Sequence, residues 1–189
     1  IAERPGLRVP GGWDGFEVAV RAVLGQQVSV AAATTFARRL VDAWGAHLPG
    51  MPPAFDRQFP LPQVLADAPL ESIGLPRTRA ATVRALAAAC ASGALDFGPG
   101  QALDEFVARC VALPGIGPWT AQYIALRGLG QPDAFPAGDL VLQQVLGHVQ
   151  GQRLSERATE ARSQAWRPWR AYAVLHLWHL SGTFVGEPT

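Results

Sequence analysis

An all-α protein is the fold class this sequence predicts, and three observations predict it. Apolar residues recur at three- and four-residue spacing through most of the chain. Alternating β-branched runs and Asn-Gly hairpin signals are nearly absent. Helix-start and helix-stop residues, such as Asp14, Ser29 and Gly45, flank the periodic stretches.

The elements follow in order. In "WDGFEVAVRAVLGQQVSVAAATTFARRLVDAWG" Asp14 is the expected N-cap and Gly25 a break, and Ser29 caps a second helix ending at Gly45. Residues 47–62 are proline-rich and read as a surface connector. A short helix over 62–67 and a turn at 69–73 precede "RTRAATVRALAAACASG", an alanine-rich helix over about 77–91. After the loop "DFGPGQ", residues 101–112 form a short helix leading into "LPGIGPWTAQYIALRG", whose helix covers 118–128. A loop to Gly138 and helices over 139–147, 155–165 and 168–181 complete about ten short helices. "LESIGLPRTRAATVRAL" echoes the Ile-Gly before a helix start, too weakly for a repeat.

Length and composition narrow the function. With 189 residues, the chain fits one or two small domains with a sizeable core. It begins at Ile1, so a fragment or processed product is expected. There is no signal-peptide pattern and no apolar run of the roughly 18 residues that span a bilayer, and a cytoplasmic protein is expected. Cys90 and Cys110 read as reduced buried thiols, and with two cysteines and four unclustered histidines no iron–sulfur or zinc ligand set exists. A net charge of +1 does not by itself argue for nucleic acid.

The hairpin string is the most informative stretch. Gly115 and Gly117 around Ile116 suit a tight connection between helices, with Leu113 and Ile116 plugging its inner side. Pro118 fits the first helical position. The free N–H groups of that helix start make an anion site. A plain helix corner explains the same residues equally well on local features.

The longer pattern decides more. "GFEVAVRAVLGQQVSVAAA", "LPGIGPWTAQYIALRG" with the Asp139 segment, and "RPWRAYAVLHLW" occur in that order. With these three blocks the chain resembles the helix-hairpin-helix DNA glycosylases, most closely their bacterial 3-methyladenine glycosylase II branch, over nearly its whole length. The resemblance implies two helical subdomains with an active-site cleft between them and the hairpin motif at about 105–128. It also implies that the family's N-terminal β domain is missing here. Implied further are a monomer acting in the bacterial cytoplasm at the nucleoid, and a partner of double-stranded DNA containing alkylated bases. Gly115, Ile116, Gly117 and Thr120 would meet phosphates, Gln26 and Gln27 would touch DNA with Gln27 as the wedge, and the carbonyls of Val111, Leu113 and Ile116 would hold a Na+ or K+ ion.

By family position Asp139 matches the catalytic aspartate. An alkylated purine already carries positive charge, so one carboxylate facing the cationic sugar suffices, whereas uncharged leaving groups usually need two. "GDLVLQQVL" also makes Asp139 a helix cap, and the two roles are compatible. Trp119 and Tyr123, four apart on one face, join Trp178 as the implied base pocket, where cation–π attraction is worth roughly 0.5–2 kcal/mol. Trp44, Trp166 and Trp169 are assigned to packing, Asp133 to a turn, and Arg127 and the prolines of "RPWR" to structure. Relatives that cut the backbone use a lysine where Trp119 stands, and 113–139 contains no lysine, so a glycosylase without lyase activity is expected. A glycosylase for deaminated or oxidised bases, a noncatalytic hairpin DNA-binding module and an all-α scaffold remain as alternatives.

Overall fold

The Asp14 carboxylate accepts the Glu17 N–H at 3.0 Å and so opens α1 (Gly15–Leu24). Gly25 ends it, and the Ser29 hydroxyl, accepting Ala32 N–H at 3.2 Å, opens α2 (Val30–Trp44). The computed structural model describes residues 5–53, 55–148 and 151–185; Ile1, where the chain starts without methionine, lies outside them. It continues with α3 (Pro62–Asp67), a 3-10 turn at Leu70–Ile73, α4 (Arg77–Ala91), α5 (Leu103–Val111) and α6 (Pro118–Gly128). Then come α7 (Leu140–Gly147), α8 (Glu156–Ser163), a 3-10 turn at Gln164–Trp166 and α9 (Arg170–Val185). Among the described residues the only strand-like pairing is one bridge, His47 to Arg57, inside the proline-rich connector. No described helix is long and apolar enough to cross a membrane.

α1 organises the first group of helices. Ala19, Val20, Val23 and Leu24 are fully buried, and the helix packs on α2, α4 and α6, while α3 lies along α4 and α5 along α6. A second group forms where α7 packs on both α8 and α9. Cys110 is buried and Cys90 partly so; both are free thiols, and burial pushes them up to about 12 and about 11, which keeps them protonated at neutral pH.

Two expectations change. Asp133 is no ordinary turn aspartate: it accepts from Arg167 Nη1 at 2.6 Å and from Arg170 Nε and Nη2 at 2.9 and 3.1 Å. Arg170 is 3% exposed and also donates to Glu160 at 2.9 Å, so the buried guanidinium is fully engaged, as a buried charge must be. This network ties the loop before α7 to the first turn of α9, and so sets where Trp178 falls. Trp169 is not a packing residue: it is 57% exposed and meets Tyr172 edge-on at 6.0 Å. Trp166 does pack, against Phe135, and Trp44 lies against the core.

Candidate active site and nucleic-acid interface

Asp139 sits at the head of α7, between the two helix groups, and is 9% exposed. Its Oδ1 accepts the N–H groups of Val141 and Leu142, both at 3.0 Å, which is an ordinary cap. Two indoles then converge on the same carboxylate. Trp119 Nε1, from the first turn of α6, donates to Oδ2 at 3.0 Å, and Trp178 Nε1, from α9, donates to Oδ1 at 3.3 Å. Four donors match a group that only accepts. They are unevenly shared: Oδ1 takes three and Oδ2 one, so Oδ2 keeps a lone pair for a visitor.

The aromatic residues divide differently from a single three-walled pocket. Trp119 and Tyr123 stack at 5.4 Å with planes 14° apart, which closes the space between them and leaves outer faces for a ligand. Both line a cavity of about 390 Å³ between α1 and α6, together with Arg21, Gly25, Val30 and Arg127. Trp178 does not line it; its ring leans on Tyr123 at 6.3 Å and its N–H is spent on Asp139. Trp119 joins the two regions, with its ring in the cavity wall and its N–H on the carboxylate.

The hairpin between α5 and α6 is built around one glycine. Gly115 has φ +82°, and a side chain there would overlap the Thr82 hydroxyl of α4. Gly117 has ordinary extended backbone and open space where a side chain would go, so the fold does not require glycine there. Ile116 is 3% exposed and plugs the turn, its N–H donating to the Leu113 carbonyl at 3.2 Å. Among the described residues the N–H groups of Gly117, Trp119 and Thr120 have no acceptor, and Pro118 has no N–H to offer, so the start of α6 presents free donors beside an open backbone. Among the described residues the carbonyls of Val111 and Ile116 accept no backbone hydrogen bond outside the helices, while that of Leu113 accepts the Ile116 N–H.

Gln26 and Gln27 take opposite directions. The Gln26 side-chain amide donates to the Gly115 carbonyl at 3.0 Å and to Thr120 Oγ1 at 3.1 Å. Its own carbonyl accepts Arg79 Nη2, from α4, at 2.6 Å. Gln26 thus bolts the α1–α2 turn to the hairpin, and the Thr120 hydroxyl is used in the bolt. Gln27, next to it, is exposed at φ +54°, a backbone region that non-glycine residues rarely occupy. Arg79 and Thr82 were missed by the sequence reading, because nothing local in "RTRAAT" marks a partner some fifty residues earlier or thirty later. The solvent-accessible surface of the turn, the free N–H groups and the carboxylate arise from one connected framework.

Residues 20–171 match the model of the HhH-GPD superfamily of base excision DNA repair proteins. A Mycobacterium tuberculosis protein named probable bifunctional transcriptional activator/DNA repair enzyme AlkA is 43% identical over 94% of this chain and 36% of its own length. DNA-3-methyladenine glycosylase 2 of Escherichia coli is 39% identical over 96% of this chain and 63% of its own. The crystal structure of a DNA-3-methyladenine glycosidase from Bacillus halodurans superposes with a TM-score of 0.79 at 26% identity, over 96% of this chain and 82% of that one. The chain therefore spans between about a third and two thirds of the curated relatives just named.

Proposed function

Because the chain belongs to the HhH-GPD superfamily of base excision DNA repair proteins, we propose that it is a monofunctional DNA glycosylase that removes alkylated purines, such as 3-methyladenine and 7-methylguanine, from duplex DNA. The observation that carries this reading is the Asp139 carboxylate, gripped by two indole and two backbone N–H groups yet left with a free lone pair on Oδ2.

The reaction follows from that geometry. The target nucleotide leaves the stack, and its base lies against the outer faces of Trp119 and Tyr123. The bond from the base nitrogen to C1′ breaks, and its electron pair neutralises the cationic ring. The positive charge passes to the deoxyribose, where Oδ2 of Asp139 stabilises it. Water adds to C1′ and gives up its proton to the surrounding solvent, leaving free neutral base and an abasic sugar. Lyase chemistry needs an amine nucleophile, and none of the basic residues in these 189 is lysine; all sixteen are arginine.

DNA is held by the free N–H groups at the start of α6, over the open Gly117 backbone. A monovalent cation on the Val111, Leu113 and Ile116 carbonyls would add positive charge beside those phosphates. Gln27, carried outward by the Gln26 bolt, fills the gap left by the extruded base. Every group in this scheme comes from one chain, which suits a monomer.

The test is base release from duplexes carrying single lesions, with wild type and Asp139→Asn. Asparagine keeps the helix cap, so folding and DNA binding persist while release falls at least about a hundredfold. Unchanged release in the variant would remove Asp139 from the chemistry, and no release by wild-type protein that binds DNA would reduce it to a DNA-binding module. Borohydride trapping of a covalent DNA adduct would contradict the absence of lyase chemistry.

A further inference from the structure

One aromatic ring that the proposed reaction does not use is wedged where the two helices bearing the base cavity meet. Glycine approaches glycine at that crossing. A methyl group on Gly15, the first residue of α1, would fall 2.4 Å from the Phe97 ring. One on Gly128, the last residue of α6, would fall 3.3 Å from the same ring and 3.4 Å from the Gly15 carbonyl oxygen. Glycine is a poor helix residue. At these two positions its missing side chain lets the backbones close up and admits the ring beside them.

The ring is held from its other side as well. Phe97 is half-buried and meets Phe106 of α5 edge-on at 5.7 Å. Its loop is tied on both flanks. Gly98 N–H donates to Asp96 Oδ1 at 2.8 Å, and the Gln101 amide donates to Asp96 Oδ1 at 2.8 Å and to the Gly98 carbonyl at 3.0 Å. Gln131, just past α6, donates to the Gln101 carbonyl at 2.6 Å. A loop that only joined α4 to α5 would not need an aromatic ring at the contact between α1 and α6.

Place in the fold gives the ring its consequence. Val18, Ala22 and Gly25 of α1 line the cavity, and Gly15 continues that stripe by one turn. Arg127 lines it from α6, next to Gly128, and its carbonyl accepts Gly12 N–H at 2.9 Å. Phe97 therefore stands just past the end of the cavity that lies away from the hairpin. A base seated on Trp119 and Tyr123 lies between α1 and α6, so the crossing that sets their spacing limits what the base can carry.

We propose that Phe97 fixes the α1–α6 crossing and thereby limits the bulk of the alkyl group tolerated on the base. It is a positioning residue that sets specificity through Gly15 and Gly128. Close-packed interiors transmit a change in volume, and neither glycine has a side chain to refill the space the ring would leave. The inference rests on the glycosylase reading above.

The experiment compares two bases of equal charge that differ by one methylene, 3-methyladenine and 3-ethyladenine, released in single turnover from methylated and ethylated duplex DNA. Wild type, Phe97→Ala and Phe97→Leu are each checked for folding by thermal melting. Wild type prefers the methyl base by about tenfold or more, the worth of one methylene in a fitted apolar pocket. In Phe97→Ala that preference shrinks at least about threefold, a sizeable part of that worth, because α1 and α6 are free to give. Phe97→Leu keeps part of the bulk, lies between the two, and serves if the alanine variant does not fold. A ring that matters only for stability lowers both rates together and leaves their ratio alone, and an unmoved ratio in the folded variants overturns the proposal. So does wild-type protein that releases both bases equally well. Wild-type protein that releases neither base overturns the glycosylase reading, and this one with it.

Discussion

The two oxygens of Asp139 are not equivalent, and that asymmetry separates the two tryptophans. Oδ1 takes two backbone donors and Trp178, while Oδ2 has Trp119 alone. Removing the Trp178 N–H leaves Oδ1 capped; removing the Trp119 N–H frees the oxygen assigned to the sugar to rotate away. Trp119→Phe therefore lowers the single-turnover rate about tenfold or more, the worth of a hydrogen bond to a charged group, whereas Trp178→Phe lowers it no more than about threefold. Equal effects would mean that both rings act only as walls. The sequence reading named all three residues from the family pattern, but it placed both indoles around the base. That one of them serves mainly the carboxylate is a matter of side-chain direction, on which spacing alone is silent.

Two glycines of the hairpin look alike in sequence and differ in structure. Gly115 needs its positive φ and its missing side chain, because Thr82 of α4 presses on it. Gly117 needs neither, and its open side is where a phosphate would approach the free N–H groups. Gly115→Ala is thus expected to lower stability by about 1–3 kcal/mol, read as a drop in melting temperature. Gly117→Ala is expected to melt within a few degrees of wild type yet bind abasic duplex several-fold more weakly, because its methyl group stands where the phosphate comes. The opposite ranking in the binding assay would remove Gly117 from the DNA interface, and the opposite ranking in melting would mean that the Gly115 turn does not depend on its missing side chain. Helix boundaries here were legible because caps and breakers are local: Asp14, Ser29, Gly25, Pro118 and Asp139 each sit where the sequence placed them. The bolt through Gln26, Arg79 and Thr120 was not legible, since its partners lie 53 and 94 residues away. The same holds for the Asp133–Arg170 pair, 37 residues apart.

At the scale of the whole molecule the charge is nearly balanced, with sixteen arginines against fifteen acidic residues. Many of those arginines are committed inside the fold. Arg84 pairs with Glu71 at 2.8 Å, its hydrogen bonds holding that carboxyl down to about 2; Arg167 and Arg170 meet Asp133; Arg79 grips the Gln26 carbonyl. On the proposed reading, affinity for DNA would then come largely from backbone N–H groups at one helix start and from whatever fills the gap behind the extruded base, not from a general arginine surface. Such contacts displace few counterions. Binding to abasic duplex, followed by fluorescence anisotropy between low and moderate salt, should give log K against log salt a slope shallower than about −4, against about −0.9 for each phosphate neutralised on duplex DNA. A steeper dependence would show a broad arginine surface gripping the backbone, and the hairpin would then be a minor part of the grip. Gly117→Ala adds the deciding comparison. It removes no charge, so it should shift the salt plot downwards without changing its slope. A variant that flattened the slope instead would mean that the methyl group displaces arginine contacts, and the assignment of the phosphate to the free N–H groups of α6 would fail.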